Sequence, residues 1–69
     1  MALSDNIRAK RIECGLTMEE LADKIGATRQ IIDRYERNLA KPQPERFVLI
    51  AKSLGTTCEE LVEGDSEVE

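Results

Sequence analysis

Long polar side chains cluster in one short stretch of this 69-residue sequence. In a helix, Ile32 and Tyr35 lie three apart and can face inward, so Arg29, Gln30 and Arg34 fall largely on the opposite side. A guanidinium group can hold O6 and N7 of guanine as a fork, and a carboxamide can pair with N6 and N7 of adenine. Residue types and spacing therefore favour a surface that reads the edges of base pairs.

Asp33 lies in the same stretch and has two interpretations. Its carboxylate could accept a hydrogen bond from cytosine N4. Arg29, Asp33 and Arg37 are also spaced by four residues, so they could form a ladder of ion pairs on a solvated helix face. Such pairs contribute about 0.2–0.5 kcal/mol each. For Asp33 we favour the second interpretation, in which the carboxylate orients its arginine neighbours.

The remaining residues do not support enzymatic chemistry. The chain has no histidine, and its two cysteines, Cys14 and Cys58, lie far apart in the sequence. Zinc sites and triads that require histidine are therefore not expected, and no phosphate-binding glycine loop is present. We expect no catalytic activity, no metal and no cofactor. Cys14 follows Ile7 and Arg11 at helical spacing, which predicts a small core residue rather than a reactive thiol.

Two short helices around a glycine must position the polar stretch. Thr17 and Glu20 have the spacing of a capping box, in which each side chain accepts a hydrogen bond from the other residue's backbone N–H. Gly26 then ends the first helix, because glycine enters the left-handed conformation at little steric cost. Thr28 can cap the second helix. Two helices that meet at so tight a turn have the outline of a helix-turn-helix.

The rest of the chain reads as three further short helices. Helix starts are predicted at Ser4, at Pro44, and at Thr56 or Thr57; the corresponding ends are at Gly15, Gly55 and Gly64. The predicted fold is all-α: a compact five-helix bundle that forms one domain over residues 4–64. Residues 65–69 read as an acidic disordered tail.

Charge is distributed unevenly along the sequence. The net charge of −4 argues at first sight against a nucleic-acid partner. All ten Lys and Arg residues, however, lie between Arg8 and Lys52, whereas eight acidic residues precede Glu59 and six lie from Glu59 to Glu69. The body of the domain is thus slightly basic. We find no signal peptide and no apolar run long enough to cross a bilayer, so we expect no membrane association and a cytoplasmic, nucleoid-associated protein.

Five motifs in order carry a resemblance to a known family. They are I-R-x-K-R-I, G-L-T-x-E-E-L-A-x-K-I-G, T-R-Q-x-I-x-R-Y-E, K-P and L-G-T-T-x-E-E-L. Together they resemble the Cro/C1-type (XRE-like) helix-turn-helix domains, and among these the DNA-binding domains of lambdoid 434-type phage repressors. The resemblance implies a lambda repressor-like fold and a transcriptional regulator, with a repressor favoured. Such a regulator binds a two-fold symmetric operator in double-stranded DNA as a homodimer, with helix 3 in the major groove.

The resemblance also implies roles for individual residues. Base contacts would come from Arg29, Gln30 and Arg34, and from Asp33 under its first interpretation. Phosphate contacts would come from Thr17, Arg37, Asn38 and Lys41. A structural salt bridge would join Arg11 to Glu36, and the dimer interface would include Leu61 and Val62.

The sequence departs from the family pattern at several positions. Met18 replaces a glutamine that contacts phosphate, and Asn38 replaces the glycine that follows the recognition helix. Together with the acidic net charge and Asp33, Met18 keeps a second function open: a protein-interaction module, such as an antitoxin-like or scaffold subunit on the same fold. Retention on heparin or on random duplex DNA at low salt would distinguish the two.

Overall fold

The computed structural model describes residues 3–66 of the chain, and side-chain surroundings for residues 3–62. Over residues 3–66 it forms five helices: α1 (Leu3–Glu13), α2 (Met18–Ile25), α3 (Arg29–Glu36), α4 (Pro44–Ser53) and α5 (Cys58–Ser66). Helix α2 packs against α3 and α4, α1 packs against α3 and α5, and α4 also contacts α5. The predicted all-α bundle of five helices is confirmed.

Apolar side chains from all five helices meet in one core. Each of the helices α1 to α4 contributes one large, fully buried side chain, and the residue directly after α4 contributes a fifth. These residues are Ile7, Leu21, Ile32, Ile50 and Leu54. Leu61 of α5 completes the cluster. Ala22 is also buried, and its small side chain lets the axes of α2 and α3 approach closely at their crossing. This core fixes the orientation of α3 relative to the other helices.

The predicted capping box and glycine turn form the link between α2 and α3. Thr17 Oγ1 accepts a hydrogen bond from the Glu20 N–H at 3.1 Å, and Glu20 Oε1 accepts one from the Thr17 N–H at 2.9 Å. Gly26 follows α2 with φ 71° and ψ 31°, in the left-handed region. Thr28 caps α3 by accepting from the Ile31 N–H at 3.3 Å. The predicted helix-turn-helix geometry is therefore confirmed.

We expect Gly26→Ala to destabilise the domain through the backbone alone. Apart from the adjacent residues, no atom lies within 4 Å of the position that a β-carbon would occupy, so the substitution creates no clash. The left-handed conformation itself costs an L-residue about 1–2 kcal/mol, which corresponds to a drop in Tm of about 4–8 °C per kcal/mol for a domain of this size. Thermal unfolding followed by circular dichroism measures the drop. Gly26→Asn should lose less, since asparagine tolerates this region better; equal losses for both variants would contradict the explanation.

Two expectations for α1 are wrong. The helix already includes Leu3, so Ser4 lies inside it, 6% exposed, instead of capping it. Cys14 is exposed and is not a core residue. The Cys14 N–H still bonds to the Lys10 carbonyl oxygen at 2.9 Å, so helical spacing continues to this residue without burying it. Its Sγ lies 3.3 Å from the Leu54 carbonyl oxygen, to which the thiol donates.

The structure also decides the limits of α5. Of the two possible caps, Thr57 takes the role, because its Oγ1 accepts from the Glu60 N–H at 3.1 Å. Gly64 does not end the helix, which continues to Ser66. The expected helix end is therefore wrong by two residues. Residues 67–69 of the predicted acidic tail lie outside the described residues.

Candidate nucleic-acid interface

Helix α3 has one buried side and one exposed side. Ile32, Tyr35 and Glu36 are buried against the core. Arg29, Gln30 and Arg34, the predicted base-contacting residues, are all exposed. The division follows from helical periodicity: Ile32 and Tyr35 are three apart and turn inward together, so the long polar side chains are left on the solvent side. All three candidate reading residues are therefore exposed on α3: Gln30 and Arg34 lie four residues apart, and Arg29 lies beside the groove that contains Thr17.

Asp33 and Arg37 form an ion pair on the exposed side of α3. Arg37 Nε and Asp33 Oδ1 are 3.3 Å apart, one helical turn from each other. The Asp33 side chain is 30% exposed and that of Arg37 is 67% exposed. Because one carboxylate oxygen already contacts a guanidinium group, the contact favours the interpretation in which Asp33 orients an arginine neighbour.

All four candidate phosphate-contacting residues are exposed: Thr17, Arg37, Asn38 and Lys41. Thr17 is the N-cap of α2, where a positive helix end attracts anions. Its oxygen accepts a bond from Glu20, but the hydroxyl can still donate to a phosphate. Asn38 takes the left-handed conformation with φ 63°, as expected for a residue in place of glycine. It turns the chain away from α3 toward Lys41.

A buried ion pair joins α1 to the end of α3. Arg11 Nε lies 2.7 Å from Glu36 Oε2, and Arg11 Nη2 lies 3.1 Å from Glu36 Oε1. The two side chains are only 11% and 2% exposed. Arg11 Nη1 also donates to the Leu16 carbonyl oxygen at 2.8 Å, just before α2 begins. One guanidinium group therefore ties the turn that leads into α2 to the end of the candidate reading helix.

A contact between α3 and α4 was not predicted from the sequence. Arg46 Nη1 donates to the Tyr35 hydroxyl at 3.4 Å. Arg46 also lines a groove between these helices, together with Arg34 and Lys41. The apolar floor of the groove includes Ile31. Glu45 lines the same groove. No local pattern indicates this charged lining, because it depends on how α4 packs against α3.

Comparison with known proteins places this geometry in a family. Residues 7–61 match the helix-turn-helix family. The chain belongs to that family. Its assignment to the Cro/C1 type, made from the sequence, is confirmed.

Individual relatives agree with this assignment. An uncharacterised HTH-type transcriptional regulator of Methanothermobacter thermautotrophicus is 45% identical over 49 residues, which cover 71% of each chain. The P22 c2 repressor, solved in complex with a synthetic operator, has a TM-score of 0.88 and 25% identity over 94% of this chain and 98% of that one. The biofilm regulator SinR, solved in complex with DNA, has a TM-score of 0.81 and 26% identity over 87% of this chain and 97% of that one.

Two residues of the helix-turn-helix unit are apolar where a polar residue is expected. Met18 stands in place of the glutamine of the family pattern, and Ile31 lies among the polar residues of α3. Met18 and Ile31 are both half-buried and pack against the core. Met18 also lines a shallow groove with Thr17 and Arg29. Its thioether therefore supports the first turn of α2 by packing and offers no hydrogen-bond donor to a phosphate.

The predicted dimer residues need a correction. Leu61 is only 2% exposed and belongs to the core of the helix-turn-helix domain. Its side chain has no surface to offer a second chain, so its assignment to an interface is wrong. Its apolar character reflected packing of α5 against α1. Val62 is half-buried, and its role in an interface stays a prediction.

The described residues contain neither a candidate metal site nor a candidate membrane span. Within them, no group of three or more His, Cys, Asp or Glu side chains is arranged to hold a metal ion. The helices of the same region are also too short or too polar to span a membrane.

Proposed function

We propose that this protein is a sequence-specific transcriptional regulator, acting as a repressor on double-stranded DNA in the cytoplasm. It binds a two-fold symmetric operator as a homodimer, with α3 in the major groove. Membership of the helix-turn-helix family supports DNA binding. Two structural relatives that are bound to DNA or to an operator, both at least 25% identical, support the same partner.

The observation that carries the proposal is that Arg29, Gln30 and Arg34 are all exposed on α3, whereas Ile32 and Tyr35 of the same helix are buried. Arginine reads guanine and glutamine reads adenine by paired hydrogen bonds in the major groove. The opposite side of α3 is held in the core, so the helix can enter a groove without unfolding any part of the domain. Asp33 then acts on the orientation of Arg37 rather than on a base.

Phosphate contacts would fix the register of α3 on the duplex. Thr17 and Asn38 would donate neutral hydrogen bonds, and Arg37 and Lys41 would add charge. These residues lie before α2 and after α3, at both ends of the helix-turn-helix. Contacts at both ends would hold the reading helix along the groove.

Selection of bound duplexes from a random pool tests the proposal. The expected product is a palindrome whose half-sites lie about one helical turn, 34–36 Å, apart. A pool that gives no enriched sequence would count against specific reading. If the protein also fails to bind random duplex DNA at low salt, the alternative of a protein-interaction module is favoured instead.

Lys41→Ala is expected to reduce the salt dependence of operator binding. Each phosphate neutralised contributes about 0.9 to the slope of log K against log salt concentration, so a dimer that loses two contacts should lose about 1.8. Fluorescence anisotropy at several salt concentrations measures the slope. Asn38→Gly is the matched control: it removes a neighbouring polar side chain without changing charge and keeps the left-handed backbone. A slope that falls equally in both variants would remove Lys41 from the phosphate contacts.

A further inference from the structure

Met18 is half-buried at the place where the N-terminal ends of α2 and α3 meet. It is the first residue of α2, and Arg29 is the first residue of α3. Both residues line one shallow groove, together with Thr17. The proposed function uses Thr17 for a phosphate and Arg29 for a base, but it assigns nothing to Met18, which lies beside both.

The charges in this groove are balanced, so it has no excess of positive charge to attract a further phosphate. Arg29 and Glu19 both line it and carry opposite charges. Arg11, a second cation of the groove, is already held by Glu36 through two hydrogen bonds. The remaining wall of the groove is apolar and consists of Ile12, Leu16 and Met18. An apolar group on the DNA therefore suits this wall better than an anion does.

Thymine carries the apolar group that the major groove of DNA presents on the edges of its base pairs, the C5 methyl. Methionine is unbranched and polarizable, so its side chain can adapt to the position of such a methyl group. It has no hydrogen-bond donor with which to read the acceptor atoms of a base. The residue type at position 18 thus fits a thymine methyl and no polar feature of a base edge.

We propose that Met18 is a specificity-determining residue that contacts the C5 methyl of a thymine beside the base that Arg29 reads. The inference rests on the proposed DNA recognition and adds a residue of α2 to the residues that read bases. Because Met18 and Arg29 line the same groove, the thymine occupies the base pair next to the one that Arg29 contacts. Packing against the core already holds Met18, so the contact requires little further ordering of its side chain.

Replacement of thymine by uracil tests the contact, because it removes the methyl group and leaves the hydrogen-bonding edge of the base unchanged. In the operator obtained by selection, each thymine is replaced in turn, symmetrically in both half-sites. Fluorescence anisotropy gives the Kd of the full 69-residue chain for each duplex. Loss of one methyl contact should weaken binding about fourfold per half-site, or about 15-fold for both half-sites together. The sensitive thymine should lie next to the base pair whose preference Arg29→Ala abolishes.

Variants at position 18 show whether Met18 makes the contact. Met18→Ala and Met18→Gln should each bind the thymine and uracil operators within about 1.5-fold of each other, whereas Met18→Leu keeps an apolar side chain and should retain a clear difference. Ile31→Ala is the matched control, since Ile31 is also half-buried against the core but lines a different groove, with Arg34. It should retain the difference of about 15-fold. A purely structural role of Met18 would weaken binding to both operators equally.

Several results would overturn the proposal. They are a selected operator with no thymine beside the base pair that Arg29 reads, a methyl effect there below about twofold, and a methyl effect that persists in Met18→Ala and Met18→Gln. A difference that Ile31→Ala also removes would count against it equally. Each of these results leaves the proposed function intact, because the chain still selects an operator. A chain that enriches no duplex would instead refute DNA recognition and this contact together. Circular dichroism melting confirms that each variant is folded.

Discussion

Replacing Arg29 or Arg34 with alanine is expected to abolish discrimination at the base pair that each side chain is proposed to read. A good paired contact to a base contributes about 1–3 kcal/mol of discrimination, so preference for the correct base should fall by about 5- to 150-fold in each half-site. Both side chains are exposed, and neither contributes to the core, so folding should not change. The measurement is competition between operator duplexes with single base substitutions.

The matched control for the arginine variants is Lys24→Ala. Lys24 is an exposed cation in the last turn of α2, and its loss changes net charge by the same amount. It should weaken binding to all sequences slightly and leave base preference intact, since a charge effect is not specific to sequence. If Arg29→Ala and Arg34→Ala behave like this control, the two arginines contact phosphates only and base reading must be assigned elsewhere.

Glu36→Ala is expected to cost most of the stability of the domain. Removing one partner of a buried ion pair typically destabilises a protein by about 3–5 kcal/mol, because the other charge stays buried without its counterpart. Small domains lie at the lower end of the usual range of about 5–15 kcal/mol. The buried guanidinium group of Arg11 would lose two of its three hydrogen bonds. Urea unfolding followed by circular dichroism measures the free energy of unfolding.

Two comparisons interpret the Glu36 result. Glu13→Ala breaks the exposed pair between Lys10 and Glu13, whose atoms are 3.1 Å apart on the same helix as Arg11, and should leave the urea midpoint nearly unchanged. The variant Arg11→Met/Glu36→Leu replaces the buried charges with apolar groups and should recover much of the loss. A midpoint for Glu36→Ala no lower than that of Glu13→Ala would show that the buried pair contributes little.

Features set by local rules could be predicted from the sequence. The capping box of Thr17 and Glu20, the glycine turn at Gly26 and the inward positions of Ile32 and Tyr35 depend on neighbours within one or two helical turns. The ion pair of Arg11 and Glu36 joins residues that are 25 positions apart, so no local rule indicates it. It was predicted from the resemblance to the family instead.

Features set by packing of distant segments could not be predicted in the same way. Helical spacing predicted that Cys14 lies in the core, but Cys14 is exposed and its thiol reaches the Leu54 carbonyl oxygen at the end of α4. The apolar character of Leu61 fitted both a core and an interface, and only the packing of α5 against α1 decides between them. The contact between Arg46 and Tyr35 depends on the position of α4, which begins at Pro44 after a loop that contains Pro42. In each case the sequence shows residue character but not the direction that the side chain takes.

Only Gly26, Ala27 and Thr28 separate α2 from α3. So short a connection, with Ala27 N–H bonded to the Ala22 carbonyl oxygen at 2.9 Å, allows the second helix little motion relative to the first. We therefore expect the backbone to differ little between the free and the DNA-bound protein. Binding should then cost almost no conformational entropy of the backbone. Because the backbone is rigid, exchanging the exposed side chains at positions 29, 30 and 34 should change which DNA sequence is preferred. The fold itself should not need to be redesigned.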